Sequence, residues 1–211
     1  MAAVNEAASA LDGRALGKRG AATRSRLLEA TGELLESNGL RDLRVVDIAR
    51  EVGTSPATFY QYFRDVEEAV LALAEMVGEQ TAPLAGLLDP PWRGEAGLEC
   101  ARRLVDGFLL YWDDHRAILR TRNLAAQEGD RRFRDVRNAS LRPITEGLSR
   151  KVAEHSVPGL APYAAAAALV AMMERMAAFH VDLERYGATR TDVVETSARI
   201  VFQTVTGHAG P

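Results

Sequence analysis

The chain has 211 residues, 47% of them hydrophobic and 26% charged, the make-up of a globular protein rather than of a fibrous or low-complexity one. Its formal net charge of -3, from 26 basic and 29 acidic residues, does not mark a nucleic-acid binder, so the distribution of charge along the chain matters more. Cys100 is the single cysteine, which excludes an intramolecular disulfide, and the opening MAAVNEAASALDG lacks the basic-then-apolar order of a secretory signal.

In chain order, residues 1–20 are rich in Ala and Gly with little to bury, and they read as a disordered basic arm. Between Gly13 and Leu28 lie Arg14, Lys18, Arg19, Arg24 and Arg26 and no acid; a solvated tail and an electrostatic contact are both open readings. TRSRLLEATGELLESNG (23–39) sets Leu27, Leu28, Leu34 and Leu35 at helical spacing and stops at Asn38-Gly39. LRVVDIAREVG (43–53) predicts a short helix with Val45, Ile48, Ala49 and Val52 inward. DVEEAVLALAEMVGEQ (65–80) predicts another, opened by an aspartate cap. PLAGLLDPPWRG (83–94) holds three prolines and reads as a connector. Amphipathic helices follow at about 95–112, 114–127, 130–155, 161–185 and 190–207, with no alternating strand pattern and no internal repeat. The longest apolar run, YAAAAALVAMM (163–173), has eleven residues where a membrane span needs about 20. The expectation is an all-α, cytoplasmic protein without membrane insertion.

Between the second and fourth helices stands GTSPATFYQYF (53–63). Gly53 suits a turn with positive φ, Ser55 suits a helix cap, and Pro56 falls at the first helical position, where its missing N–H costs nothing. Phe59 plugs inward, and Phe63 shares its face. Two short helices joined at a glycine, the second bearing polar side chains, form a helix-turn-helix. Its outer face offers Thr54, Ser55, Ala57, Thr58, Tyr60, Gln61 and Tyr62. Hydroxyls and phenols reach phosphates, Gln and Thr read base edges, and Ala57 meets a thymine methyl. Arg44, Arg64, Lys18 and Arg19 complete the expected DNA-contacting set. A helical corner with half-buried tyrosines is the plainer alternative.

At these residues the chain resembles the TetR family of bacterial transcriptional regulators. The pattern I-A-x-x-x-G-x-S-x-x-x-[hydrophobic]-Y-x-[YH]-F is filled by Ile48, Ala49, Gly53, Ser55, Phe59, Tyr60, Tyr62 and Phe63, and the likeness covers about residues 21–75. One place departs: the lysine that the family usually carries three residues after the closing Phe, where it touches a phosphate, is Val66 here. The resemblance implies a helix-turn-helix DNA-binding domain (21–68), and a larger helical ligand-binding and dimerisation domain (69–211), about nine helices in all. It also implies a ligand-responsive regulator, more often a repressor, acting as an Ω-shaped homodimer on a palindromic double-stranded DNA operator. The dimer would pair through the last two helices, and binding of a small effector would release the DNA.

Independently of the resemblance, the last predicted helix is apolar on two sides, with Val194, Ala198, Val201 and Val205 on one stripe and Val193, Ser197, Ile200 and Thr204 beside it. Such a helix needs two surfaces to pack on. Alanines 164–168 would let helices approach closely. Intrasubunit core and dimer interface are both open for these residues. For an effector pocket, the candidates are Phe108, Tyr111 and Trp112, Asn123 and Gln127, Phe133 and Ile144, then Met172, Met173, Met176 and Phe179. Methionine and aromatic side chains adapt to varied ligands, and the same stripe at helical spacing also builds ordinary core. An apolar lining implies a lipophilic effector, whether fatty-acyl, steroid-like or aromatic, with Glu174 and His180 as further polar groups. Pro143 should kink its helix. From Arg116 to Arg142 run eight arginines against three acids, either a solvated face or a site for DNA or an anionic head group.

An enzyme is not expected. The chain has no G-x-S-x-G, no phosphate-cradling glycine loop, no H-E-x-x-H and no paired cysteines, so no catalytic residue, cofactor or metal ligand is assigned. In YWDDHRAIL (111–119) an aspartate capping a helix that starts at His115 accounts for the acids beside the histidine.

Overall fold

A computed structural model of the chain describes residues 16–208, and every regular element among them is helical. The chain divides into two compact units. The first is Met1–Met76, described from residue 16 onward, with Ala117–Arg134; the second is Val77–Arg116 with Asp135–Pro211.

The first unit holds α1 (Lys18–Ser37), α2 (Val45–Val52), α3 (Pro56–Phe59) and most of α4 (Val66–Glu79), together with α7 (Arg116–Gln127) and the start of α8 (Arg131–His155). Helix α1 begins inside the span expected to be a disordered arm, so Lys18 and Arg19 lie in a helix; Arg14 falls outside the described residues. Leu27, Leu28, Ile48, Ala49, Phe59 and Phe63 form the core, and the last two rings lie 5.4 Å apart between centroids. Two arginines of α1 serve the fold. Arg26 Nη2 donates to the Val52 carbonyl at 2.6 Å, satisfying an acceptor that the end of α2 leaves open. Arg24 sits over the Phe63 ring at 5.0 Å.

The second unit is built on α6 (Gly94–Asp114), which packs against α9 (Pro162–Leu183) and α10 (Arg190–Thr206). Leu104, Val105 and Phe108 of α6 are fully buried. The proline-rich connector has more structure than its composition suggested. It contains α5 (Ala82–Ala85), a 3-10 turn at Gly86–Leu88, and buried Leu88 and Trp92. Trp92 lies so close to α6 that a Cβ on Gly97 would come within 2.6 Å of the Trp92 carbonyl carbon. Helix α8 runs unbroken through Pro143. Helix α10 opens with a reciprocal capping box between Thr189 and Asp192 and closes at Gly207 in the left-handed region.

The two-sided apolar pattern of α10 is mostly intrasubunit core. Val193, Ser197, Ala198, Val201 and Val205 are buried, Val194 and Thr204 are half-buried, and Ile200 is exposed. Of the alanines, 165 and 166 are buried, whereas 164, 167 and 168 are exposed. The helical stretch Pro162–Tyr186 is long and apolar enough to cross a membrane by length and composition. It also carries buried Glu174 and His180, each paired with a polar partner inside the unit.

Candidate functional site

The helix-turn-helix is set by three local devices. Gly53 closes α2 with φ 70° and ψ 36°, a left-handed turn that a Cβ would strain. Ser55 caps α3: its Oγ accepts from the Thr58 N–H at 3.2 Å and lies 3.1 Å from Thr58 Oγ1. Phe59, fully buried, anchors the segment from below. Only four residues are α-helical. Turns continue the chain beyond them, with Tyr62 N–H donating to the Phe59 carbonyl at 2.9 Å and Phe63 N–H to the same oxygen at 3.1 Å.

This arrangement sorts the expected DNA-facing residues. Ser55, Ala57, Gln61 and Tyr60 are exposed, Tyr60 by 52%. Thr54, Thr58 and Tyr62 are half-buried. The two tyrosines therefore differ: the Tyr62 hydroxyl lies 3.7 Å from where a Cβ of Gly20 would stand, so it packs back toward the start of α1. Arg44, Arg64, Lys18 and Arg19 are exposed.

Arg64 is already engaged. Its backbone N–H donates to Glu68 Oε2 at 2.5 Å and its guanidinium reaches Glu68 Oε1 at 3.1 Å. Partial burial pushes the Glu68 carboxyl up, but the donors of Arg64 outweigh it and leave it below the ordinary value. Asp65 accepts from the Glu68 N–H at 2.7 Å. The first turn of α4 thus gathers Asp65, Glu67 and Glu68 around Val66. Acids there suit the helix dipole and oppose a phosphate. Glu68 was not among the residues singled out from the sequence, although its spacing of three from Asp65 and four from Arg64 is a local signal of this kind.

Four of the eight arginines between Arg116 and Arg142 are engaged: Arg116, Arg122, Arg132 and Arg137. Arg132 bridges Asp130 at 2.7 Å and Glu67 at 3.1 Å, and its guanidinium holds the Asp130 carboxyl below the ordinary range. Arg122 is buried, and Arg137 binds the buried Glu174 through both nitrogens of its fork. Asp113 belongs to the last turn of α6 and caps nothing at His115. Its carboxylate lies 2.9 Å from His180 Nε2 and accepts from Arg116 Nη2 at 2.7 Å. Burial raises the Asp113 carboxyl and these two partners lower it further, for a net fall. Among the described residues, no group of three His, Cys, Asp or Glu could hold a metal ion.

The eleven residues expected to line a pocket are divided between the two units. Asn123, Gln127 and Phe133 belong to the first unit, and the others to the second. Phe108, Tyr111, Trp112, Phe133, Ile144 and Met173 are buried in packed helical contacts. Met172 and Met176 are half-buried, and Phe179 is exposed beneath the Arg175 guanidinium at 3.7 Å. A methionine and aromatic stripe packs wherever a neighbouring helix covers it, and here α6 and α9 pack on each other. Trp112 Nε1 and His180 Nδ1 are buried polar atoms without a hydrogen-bond partner. A cleft of about 450 Å³ opens elsewhere in the second unit, between α8 and α9, and none of the eleven lines it.

A helix-turn-helix unit with an outward polar face, followed by an all-helical unit, defines the class: a DNA-binding transcriptional regulator. Residues 27–73 match the bacterial regulatory proteins of the tetR family, and residues 84–211 match the Tetracyclin repressor-like C-terminal domain. The chain belongs to the TetR family. No curated protein sequence matches it. Solved structures share the fold at low identity. The regulator FadR from Bacillus subtilis, in complex with stearoyl-CoA, aligns with TM-score 0.66 at 14% identity, over 87% of this chain and 98% of its own. NalD, the secondary repressor of the MexAB-OprM multidrug efflux pump in Pseudomonas aeruginosa, aligns with TM-score 0.62 at 21% identity, over 88% and 98%. SmeT, the repressor of the Stenotrophomonas maltophilia efflux pump SmeDEF, aligns with TM-score 0.59 at 16% identity, over 90% and 91%.

Proposed function

We propose that the protein is a cytoplasmic, ligand-responsive repressor that binds a (pseudo)palindromic operator as a homodimer and leaves it when a small effector occupies the second unit. The observation that carries this reading is the exposed group Ser55, Ala57, Tyr60 and Gln61, held on a turn by Gly53 and the buried Phe59. Two such faces in one dimer would enter major grooves about 34–36 Å apart. Exposed apolar side chains on the last two helices, Phe179, Val181 and Ile200, with exposed Ala164 and Ala168, support pairing of two copies there. An effector preferring a conformer with the heads at another spacing would lower DNA affinity by its difference in affinity for the two states.

The direct test is capture of fragmented genomic DNA from the source organism by ligand-stripped protein, followed by sequencing. A small set of fragments sharing an inverted repeat is expected; no capture, or capture without any shared sequence, would sink the reading. On the captured site, Tyr60→Ala should weaken binding by about 1–3 kcal/mol, roughly 5- to 150-fold, without altering the urea midpoint. An unchanged affinity in fluorescence anisotropy would take Tyr60 off the contact face. Val66→Lys should add one phosphate contact and steepen the slope of log K against log salt by about 0.9. An unaltered slope would mean that the acids of the α4 first turn keep phosphate away.

A further inference from the structure

We infer that the cleft between α8 and α9 is the effector site and that its ligand is an amphipathic organic anion. This rests on the regulator reading above, and it adds an acidic group to the lipophilic effector expected from the sequence.

Helices α8 and α9 are joined by the short segment 156–161, and Arg137 meets Glu174, so the two run antiparallel, with the later part of α8 opposite the earlier part of α9. On the α8 wall, Asp135, Asn138, Arg142 and Thr145 recur at steps of three and four and therefore share one face. The α9 wall is small and apolar, with Ala167, Val170 and Ala171, and ends at the exposed phenol of Tyr163. Leu141 adds a buried apolar contact between them. The cleft volume of about 450 Å³ falls within the range for small-molecule sites.

Charge decides the ligand class. Arg137 is committed to Glu174. Arg142 is exposed, and among the described residues no hydrogen-bonding or ionic partner engages it. It is thus the cation available to a carboxylate, sulfonate or phosphate. Asp135, seven residues earlier, lies about 10 Å along the helix, and it too is without such a partner. On the same wall, Pro143 has no N–H to offer the carbonyl of Ala139, four residues before it, which leaves an acceptor without its helical donor. The far end of the cleft is therefore acceptor-rich. A complementary ligand has its acidic group at Arg142 and its apolar body over Leu141, Val170 and Ala171. A hydroxyl or amine donor reaches toward Asp135.

The test uses the full chain with two fluorescent probes of nearly one shape: anionic 8-anilinonaphthalene-1-sulfonate and uncharged N-phenyl-1-naphthylamine. Arg142→Gln should weaken the sulfonate about tenfold, the worth of one charge-assisted contact, and leave the neutral probe unchanged. Ala167→Trp fills the cleft from the opposite wall and should weaken both probes, with helicity by circular dichroism and molar mass by light scattering unchanged. Sulfonate binding indifferent to Arg142→Gln, or either probe surviving Ala167→Trp, overturns the assignment. A change of molar mass in Ala167→Trp with probe binding retained would instead make the cleft a contact between copies of the chain, which also overturns it. The sulfonate should further release captured operator DNA from the native protein and not from Arg142→Gln. Arg142-dependent probe binding by a protein that captures no DNA would uphold the anion site and remove the regulator reading. DNA capture that the bound probe never disturbs would uphold the regulator and remove the cleft as its effector site.

Discussion

Phe59→Ala is expected to lower the free energy of unfolding by about 3–5 kcal/mol and to abolish operator binding. The ring is fully buried, 5.4 Å from Phe63 and edge-on to Tyr60 at 5.8 Å between centroids. Helix α3 has four residues, far too few to hold a helical conformation unaided. Its orientation comes from the Gly53 turn, the Ser55 cap and this one anchor, so the cavity left by alanine unseats the face that carries Tyr60 and Gln61. The loss is a large part of the about 5–15 kcal/mol that holds a domain folded. Urea unfolding locates the damage, because both tryptophans, Trp92 and Trp112, lie in the second unit. Circular dichroism should register loss of helix at lower urea than the tryptophan emission changes. An unmoved midpoint, or operator affinity retained at the native level, would show that Phe59 is not the anchor.

Trp92→Ala should cost a similar amount, about 3–5 kcal/mol, in the second unit. Trp92 is 1% exposed, and its indole N–H donates to the Leu87 carbonyl at 3.1 Å, which would lose that donor. Its backbone also lies against Gly97, so the indole and the glycine together seat the connector on α6. Probe binding in the α8–α9 cleft should weaken as the unit loosens, while the remaining emission from Trp112 shifts its midpoint to lower urea. A midpoint within about 1 kcal/mol of the native value would mean that the connector merely rests on the surface. The contrast between the variants separates functions. Tyr60→Ala removes DNA affinity with stability intact, whereas Phe59→Ala and Trp92→Ala act through the fold.

Several features were legible because they are local. A glycine four residues after Ala49, a serine cap followed by proline, and aromatics at 59 and 63 are constraints among neighbours in sequence, and each appears in the structure as a turn, a hydrogen bond and a buried ring. The helices of the second unit likewise begin and end within a few residues of their periodic patterns. Capping boxes, left-handed glycines and a 3.6-residue period all act over a few residues.

By itself, then, the sequence determined an all-α chain with a helix-turn-helix between Val45 and Phe63; which of its seven expected outward residues are exposed, namely Ser55, Ala57, Tyr60 and Gln61, came from the structure. What it left open was the covering of each apolar face, and only the tertiary structure decided that. Val201 and Val205 of α10 are covered by the same subunit while Ile200 is not. Phe108 and Met173 are core, and the open cleft lies against Arg142 instead. Arg137 finds Glu174 thirty-seven residues away. Periodicity states that a face is apolar; which helix lies across it, and which charge meets which, depends on contacts between distant segments that no local spacing encodes.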